Sequence, residues 1–199
     1  MAKNTVLTLK KKVDEGGKVT MVTSYDYTMA ALVEEAGIDM ILVGDSLGMT
    51  MMGYDSTIPV TMDDMVHHTR CVTRATSNTF VVGDMPFLSY EQDVATAVSN
   101  AGRLMKEGRC QAVKLEGGIE VCPQVKAMVE AGIPVVGHIG LTPQSVNAFG
   151  GFKVQGKSAK AAKKLVADAL ALEQAGAFAI VLECVPANLG AYITEQLTS

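Results

Sequence analysis

Tryptophan is absent from the 199 residues, aromatic residues of all kinds make up 5%, and charged residues 19%. No stretch approaches the roughly 18 consecutive apolar residues that a membrane-spanning helix needs. The opening run MAKNTVLTLKKKVDEGG is basic but lacks the continuous apolar segment of a secretory signal. Neither secretion nor membrane insertion is therefore expected. A basic excess is missing too: 17 Lys and Arg against 21 Asp and Glu leave a formal charge of -4, with the basic residues spread along the chain. That balance excludes the electrostatic footprint of a nucleic-acid or anionic-membrane binder and favours small-molecule chemistry. Cysteine is scarce, and Cys71, Cys110, Cys122 and Cys184 show no CxxC spacing. All four are expected to be buried small hydrophobes of a reduced, cytoplasmic protein.

What is present is 48% hydrophobic residues, enough for one sizeable core, so a single domain over 1–199 is expected. A phrase recurs: EAGIDMILVGD, KEGRCQAVKLEG, EAGIPVVGHIG and QAGAFAIVLEC. Each reads as a helix end, a glycine that stops it, and an apolar strand. Strands are predicted at Lys18 to Ser24, at Met40 to Gly44, at Thr79 to Asp84, at Gln111 to Glu116, at Pro134 to His138 and at Phe178 to Glu183. Helices are predicted at Met29 to Ala36, after a Thr61 cap to about Ala75, and after a Ser89–Gln92 capping box to about Glu107. Further helices are expected from Ile119 to Ala131, from Ser158 to Ala175 and from Ala187 to Leu197. Strands separated by single helices cannot pair as hairpins, so the repeat implies a parallel α/β sheet, doubly wound or closed as a barrel. A closed (β/α)8 barrel takes about 250 residues, so this chain is short of two units.

In parallel α/β folds the working residues lie at the carboxyl ends of the strands. Those ends hold Asp45 and Ser46, then Asp84, then Lys114 and Glu116, then His138, then Glu183. Capping or ion pairing explains any one of them, but not polar groups at five successive strand ends. Oxygen ligands point to a hard cation, and Mg²⁺ is commonly held by one or two carboxylates with substrate oxygens and water. Lys114, inside an otherwise apolar strand, is costly there unless paired, which favours a functional reading. His67 and His68 lie within the predicted helix and read as surface residues. Lys160, Lys163 and Lys164 read as a solvated helix face, and Met49, Met51 and Met52 as packing filler.

Two string matches compete with this reading. Gly44-Asp45-Ser46-Leu47 spells the signature of a serine hydrolase, and Asp64 to His67 supplies a D-x-x-H, but soon after the serine and within a helix. Triad geometry, not the string, decides such a match. Gly151 to Ser158 satisfies the phosphate-binding G-x-x-x-x-G-K-S pattern, yet the required strand before it is missing, and a flexible loop ahead of a capped helix is the simpler expectation.

Taken together, TSYDYT at Thr23, VGDSLGM at Val43, GDMPF at Gly83, VKLEGG at Val113, GHIGLTPQ at Gly137, GGFKVQGK at Gly150 and VLECVP at Val181 closely resemble the ketopantoate hydroxymethyltransferases. The match runs over nearly the whole chain. The resemblance implies a (β/α)8 TIM barrel of the phosphoenolpyruvate/pyruvate type, with about six βα units present, and a homo-oligomer, decameric in bacterial members. It implies Mg²⁺ held by Asp45, Asp84 and Glu116, and an oxo acid, 3-methyl-2-oxobutanoate, held by Asp45, Ser46, Asp84, Lys114, His138 and Tyr25. Glu183 matches the catalytic base, with 5,10-methylenetetrahydrofolate as one-carbon donor on the way to pantothenate and coenzyme A. A carboxylate in that role is expected to have its pKa raised toward neutrality. The family continues beyond ITEQLTS with the seventh and eighth units, so the chain is expected to be a truncated barrel, weakly active or inactive alone. Two alternatives stay open: a non-catalytic piece that keeps metal or oxo-acid binding or assembly, and another Mg²⁺-enolate enzyme on the same barrel.

Overall fold

The computed structural model describes residues 3–198. The chain divides into two compact units, one running to Val113 and the other from Lys114 onward. In the first, β1 (Met21–Thr23), β2 (Met40–Val43) and β3 (Phe80–Asp84) pair in parallel, Met21 opposite Met40 and Met40 opposite Phe80. Gln111 N–H donates to the Val81 carbonyl at 2.9 Å, seating the start of β4 (Ala112–Glu116) against β3. In the second unit, Gly117 N–H donates to the His138 carbonyl at 3.0 Å, beside β5 (Val135–Gly140). β5 pairs in parallel with β6 (Ala179–Glu183), Val136 opposite Ala179 and Gly140 opposite Glu183. Within each unit the paired strands lie in sequence order, as the repeated phrase predicts.

Helices provide every crossover, which is why the strands can be parallel. They are α2 (Tyr27–Glu35) after β1, the short α3 (Leu47–Thr50) and α4 (Met62–Ala75) after β2, and α5 (Val94–Arg103) after β3. In the second unit α6 (Cys122–Glu130), the short α7 (Val146–Phe149) and α8 (Ala159–Gln174) play the same part, and α9 (Ala187–Gln196) follows β6. Every residue of β3, β4 and β5 is buried, as expected of parallel strands covered on both faces. β1 is instead exposed along its length. No helix among the described residues is long and apolar enough to cross a membrane.

Several boundaries differ from expectation for local reasons. A first helix, α1 (Val6–Asp14), precedes β1, opened by a reciprocal Thr5–Thr8 box; its three consecutive lysines obscure the apolar spacing of Val6, Leu9 and Val13. The expected Ser89–Gln92 box does not form. Asp93 caps α5 by accepting the Thr96 N–H at 2.7 Å, a charged acceptor placed directly before the apolar run. The same helix ends in a π turn, Leu104–Gly108, that releases into Arg109 at φ 65°. The Thr61 cap of α4 forms as expected, with Asp64 as its reciprocal partner.

Asp39, just ahead of β2, ties α1 to the sheet. Both its oxygens accept from Lys12 Nζ at 2.7 Å, and one also accepts from Thr20 N–H at 2.7 Å. Burial raises the carboxyl pKa, but Lys12 and Thr20 outweigh it and hold it below the ordinary aspartate value. A carboxylate whose folded pKa is depressed stabilises above its unfolded value and loses that contribution as pH falls through the folded one. Asp39→Asn is therefore expected to cost about 2 kcal/mol at neutral pH in urea unfolding. The gap to wild type should close as pH falls below 3.8.

Candidate active site

In the first unit the register of β2 and β3 sets Val43 opposite Gly83, so Asp84 ends its strand beside the turn that carries Asp45. Asp45 N–H donates to Asp84 Oδ2 at 3.1 Å, and both residues are almost fully buried, at 3% and 1% exposure. A Cβ at Gly44 would stand 3.0 Å from Ser46 Oγ, so the Ser46 side chain would have to give way, and would meet Asp84 Oδ2 at 3.8 Å in ordinary contact. Ser46 opens α3 without capping it, which leaves its hydroxyl free to meet Tyr25 Oη at 2.8 Å. Two buried carboxylates on adjacent strand ends, flanked by a serine hydroxyl, form an all-oxygen set suited to a hard cation with substrate oxygens and water completing its shell. Among the described residues no group of three or more His, Cys, Asp or Glu is arranged as a ready-made metal cage.

In the second unit Lys114, Glu116 and His138 are all buried, at 5% exposure or less. Lys114 Nζ lies 3.2 Å from His138 Nδ1 and 4.0 Å from Glu116 Oε1. His138 Nδ1 is also 3.4 Å from Glu116 Oε1, while its Nε2 is 3.2 Å from Glu183 Oε2 at the end of β6. Glu116 Oε2 accepts the Gln144 N–H at 3.0 Å, a backbone donor that no side-chain motif advertises. The end of β5 is held against Glu183 from the other side: Gly140, at φ +97°, would collide with the Glu183 carbonyl through any Cβ, and Leu141 N–H donates to that carbonyl at 2.8 Å.

This cluster can hold His138 in two states. Neutral, the ring accepts from Lys114 at Nδ1 and presents Nε2–H to Glu183; protonated, it faces a carboxylate at each nitrogen. Burial and the Lys114 charge pull its pKa down, but pairing with Glu116 and Glu183 outweighs them, and it lies above the ordinary histidine value. Glu183 moves the opposite way, lowered chiefly by His138. That corrects the expectation of a carboxyl raised toward neutrality. With its side chain 40% exposed and a histidine beside it, Glu183 is ionised at neutral pH and ready to accept a proton.

Most expected site residues fall at a strand end or in the loop after it, whereas Lys114 lies in the middle of β4 and His138 inside β5, which continues to Gly140. Tyr25, Ser46, Asp45 and Asp84 are grouped in the first unit. Lys114, Glu116, His138 and Glu183 are grouped in the second. The serine-hydrolase reading fails on geometry. Ser46 meets a tyrosine, Asp64 is spent on the Thr61 cap, and His67 Nε2 lies 3.9 Å from Cys71 Sγ. The phosphate-loop reading fails as well, because a short 3₁₀ turn and α7 precede Gly151 in place of a strand, and Ser158 caps α8. Of the cysteines only Cys110 is buried, and Cys184, at φ 48°, is exposed. The three lysines of α8 are exposed as expected, although Lys164 also binds the buried Asp168 at 2.6 Å. His68 is no bare surface residue: its Nδ1 lies 2.7 Å from the Tyr25 carbonyl.

A family model described as ketopantoate hydroxymethyltransferase matches residues 3–199. Proteins named 3-methyl-2-oxobutanoate hydroxymethyltransferase from Enterococcus faecalis and Clostridium novyi are 60% and 61% identical over 98% of the chain, which spans 71% of each. One from Syntrophomonas wolfei is 60% identical over the entire chain and 72% of its own length. Among solved structures, a phosphonopyruvate hydrolase in complex with oxalate and Mg²⁺ aligns over the entire chain and 70% of its own, with a TM-score of 0.72 and 15% identity. A 2,3-dimethylmalate lyase of the PEP mutase/isocitrate lyase superfamily aligns over 98% and 69%, with a TM-score of 0.70 and 17% identity. These two likenesses speak to the fold alone.

Proposed function

The chain belongs to the ketopantoate hydroxymethyltransferase family, a family of transferases, and from that premise we propose that it transfers a hydroxymethyl group from 5,10-methylenetetrahydrofolate to 3-methyl-2-oxobutanoate, giving ketopantoate. The observation that carries the reading is the ionised Glu183, held by His138 at 3.2 Å beside the buried Lys114 and Glu116. Asp45 and Asp84 would hold Mg²⁺ in this proposal. Mg²⁺ bound there would draw electron density from the oxo-acid oxygens and so acidify the C3 proton. Glu183 removes that proton, and the electron pair moves into the C2–C3 bond to leave an enolate. Lys114 adds positive charge toward the substrate carboxylate, and Ser46 donates to one of its oxygens. C3 then bonds to the one-carbon unit, water supplies the hydroxyl oxygen, and tetrahydrofolate leaves. His138, paired with Glu183, keeps the base ionised between turnovers.

We place this chemistry in the cytoplasm, within pantothenate synthesis and in a homo-oligomer of the chain. The test is product formation with and without Mg²⁺, on this chain and on a form extended with the C-terminal segment of the Enterococcus faecalis relative. Ketopantoate that appears only when both Mg²⁺ and the folate are present is the expected result. Turnover that ignores the folate would favour an enolate enzyme of another kind.

A further inference from the structure

His68 lies on α4, and its Nδ1 is 2.7 Å from the carbonyl of Tyr25, in the loop that follows β1. A carbonyl only accepts, so Nδ1 must carry the proton. The segment it grips is pinned on both sides as well. Ser24 N–H donates to the Leu42 carbonyl at 3.2 Å, and Asp26 caps α2 by accepting the Met29 N–H at 2.9 Å. With three successive residues fixed, the direction of the Tyr25 side chain is set, and its hydroxyl meets Ser46 Oγ at 2.8 Å.

We infer that His68 is a positioning residue: its Nδ1–H holds the Tyr25 backbone so that the Tyr25 hydroxyl orients Ser46 toward the substrate. The inference rests on the function proposed above. Oxygens of an oxo acid accept and do not donate, so Ser46 must spend its own proton on the substrate. Tyr25 must then donate to Ser46, not accept from it. The relay runs from imidazole N–H to carbonyl, through the tyrosine ring, to a serine whose hydroxyl points one way only. His67, the neighbouring residue, touches this relay only by the edge of its ring, 5.3 Å between centroids at 87°.

The test pairs a spectroscopic signature with a mutant cycle. Long-range ¹H–¹⁵N correlation of the imidazoles should find neutral His68 protonated at Nδ1. Protonation at Nε2 would overturn the inference whatever else is found. In calorimetry with 3-methyl-2-oxobutanoate and Mg²⁺, His68→Gln, whose amide reaches the Nε2 position, should weaken binding about fivefold. His68→Asn, whose amide nitrogen reproduces Nδ1, should stay within about twofold of wild type. In a Tyr25→Phe background His68→Gln should add less than about a twofold further loss, because the relay is already cut. Equal losses in both backgrounds, or an Asn variant as weak as the Gln one, would reduce His68 to a packing role and overturn the inference. Should wild type bind no oxo acid, the functional reading fails. The positioning claim then stands or falls on the tautomer and on whether His68→Gln shifts the Tyr25 ring resonances.

Discussion

Glu183→Gln is expected to slow removal of the C3 proton of 3-methyl-2-oxobutanoate by about a thousandfold, the range seen when a general base is removed, while oxo-acid affinity changes little. The amide preserves shape and still offers His138 Nε2–H an oxygen, so the variant should fold. What it lacks is a basic oxygen. The pH dependence follows from the neighbouring charges. Because the Glu183 pKa is lowered, chiefly by His138, wild-type exchange should persist as pH falls to the ordinary glutamate value of 4.5 and decline only below it. His138→Gln removes that cause, so the acid limb should move to higher pH. Stability gives the complementary sign. Histidine with a raised pKa stabilises fully below its ordinary 6.5 and loses that contribution as pH rises through the folded value. Glu183, lowered, stabilises fully above 4.5 and loses it as pH falls through its own folded value. The pair therefore contributes in full between 4.5 and 6.5.

Asp84→Asn should have the second large effect. Its oxygen can still accept the Asp45 N–H, now at 3.1 Å, so the turn should survive. The change subtracts one negative charge beside the proposed cation. At about 4 Å and an effective dielectric near 20 a unit charge pair is worth about 4 kcal/mol and a divalent cation doubles that, so a loss of at least roughly a hundredfold in Mg²⁺ affinity is expected even after water takes over part of the interaction. Calorimetric titration of Mg²⁺ into wild type and variant measures it directly, with thermal melting as the control for folding. A variant that binds Mg²⁺ as tightly as wild type would remove Asp84 from the metal site.

The parallel α/β class was legible because helix, glycine and buried strand recur as one phrase, and no topology other than crossover-linked parallel strands accommodates that phrase. Strand-end residues were legible for the same reason: the strand ends are where apolar runs stop, at Asp45, Asp84, Glu116 and Glu183. Contacts that depend on tertiary approach were not. Nothing in the order of residues says that His68, 43 positions from Tyr25, reaches its carbonyl, or that the Gln144 backbone meets Glu116. The direction of the Glu183 pKa is not legible in the order of residues, because burial alone raises a carboxyl, whereas the histidine that reverses the shift lies on a neighbouring strand. Local competition explains the shifted start of α5, where Asp93 outcompetes Ser89 as a cap. α1 is not legible in the sequence because Lys10, Lys11 and Lys12 mask its apolar face.

In the proposed mechanism these strand-end groups enolise a 2-oxo acid with the help of Mg²⁺. Proton NMR of 3-methyl-2-oxobutanoate in D₂O, with the protein and Mg²⁺ but no folate, tests it most directly. The C3 proton signal should fade as deuterium replaces it, and a chelator or Glu183→Gln should stop the loss. A C3 signal that persists beside protein shown to bind the oxo acid, or exchange indifferent to both chelator and substitution, would contradict the account.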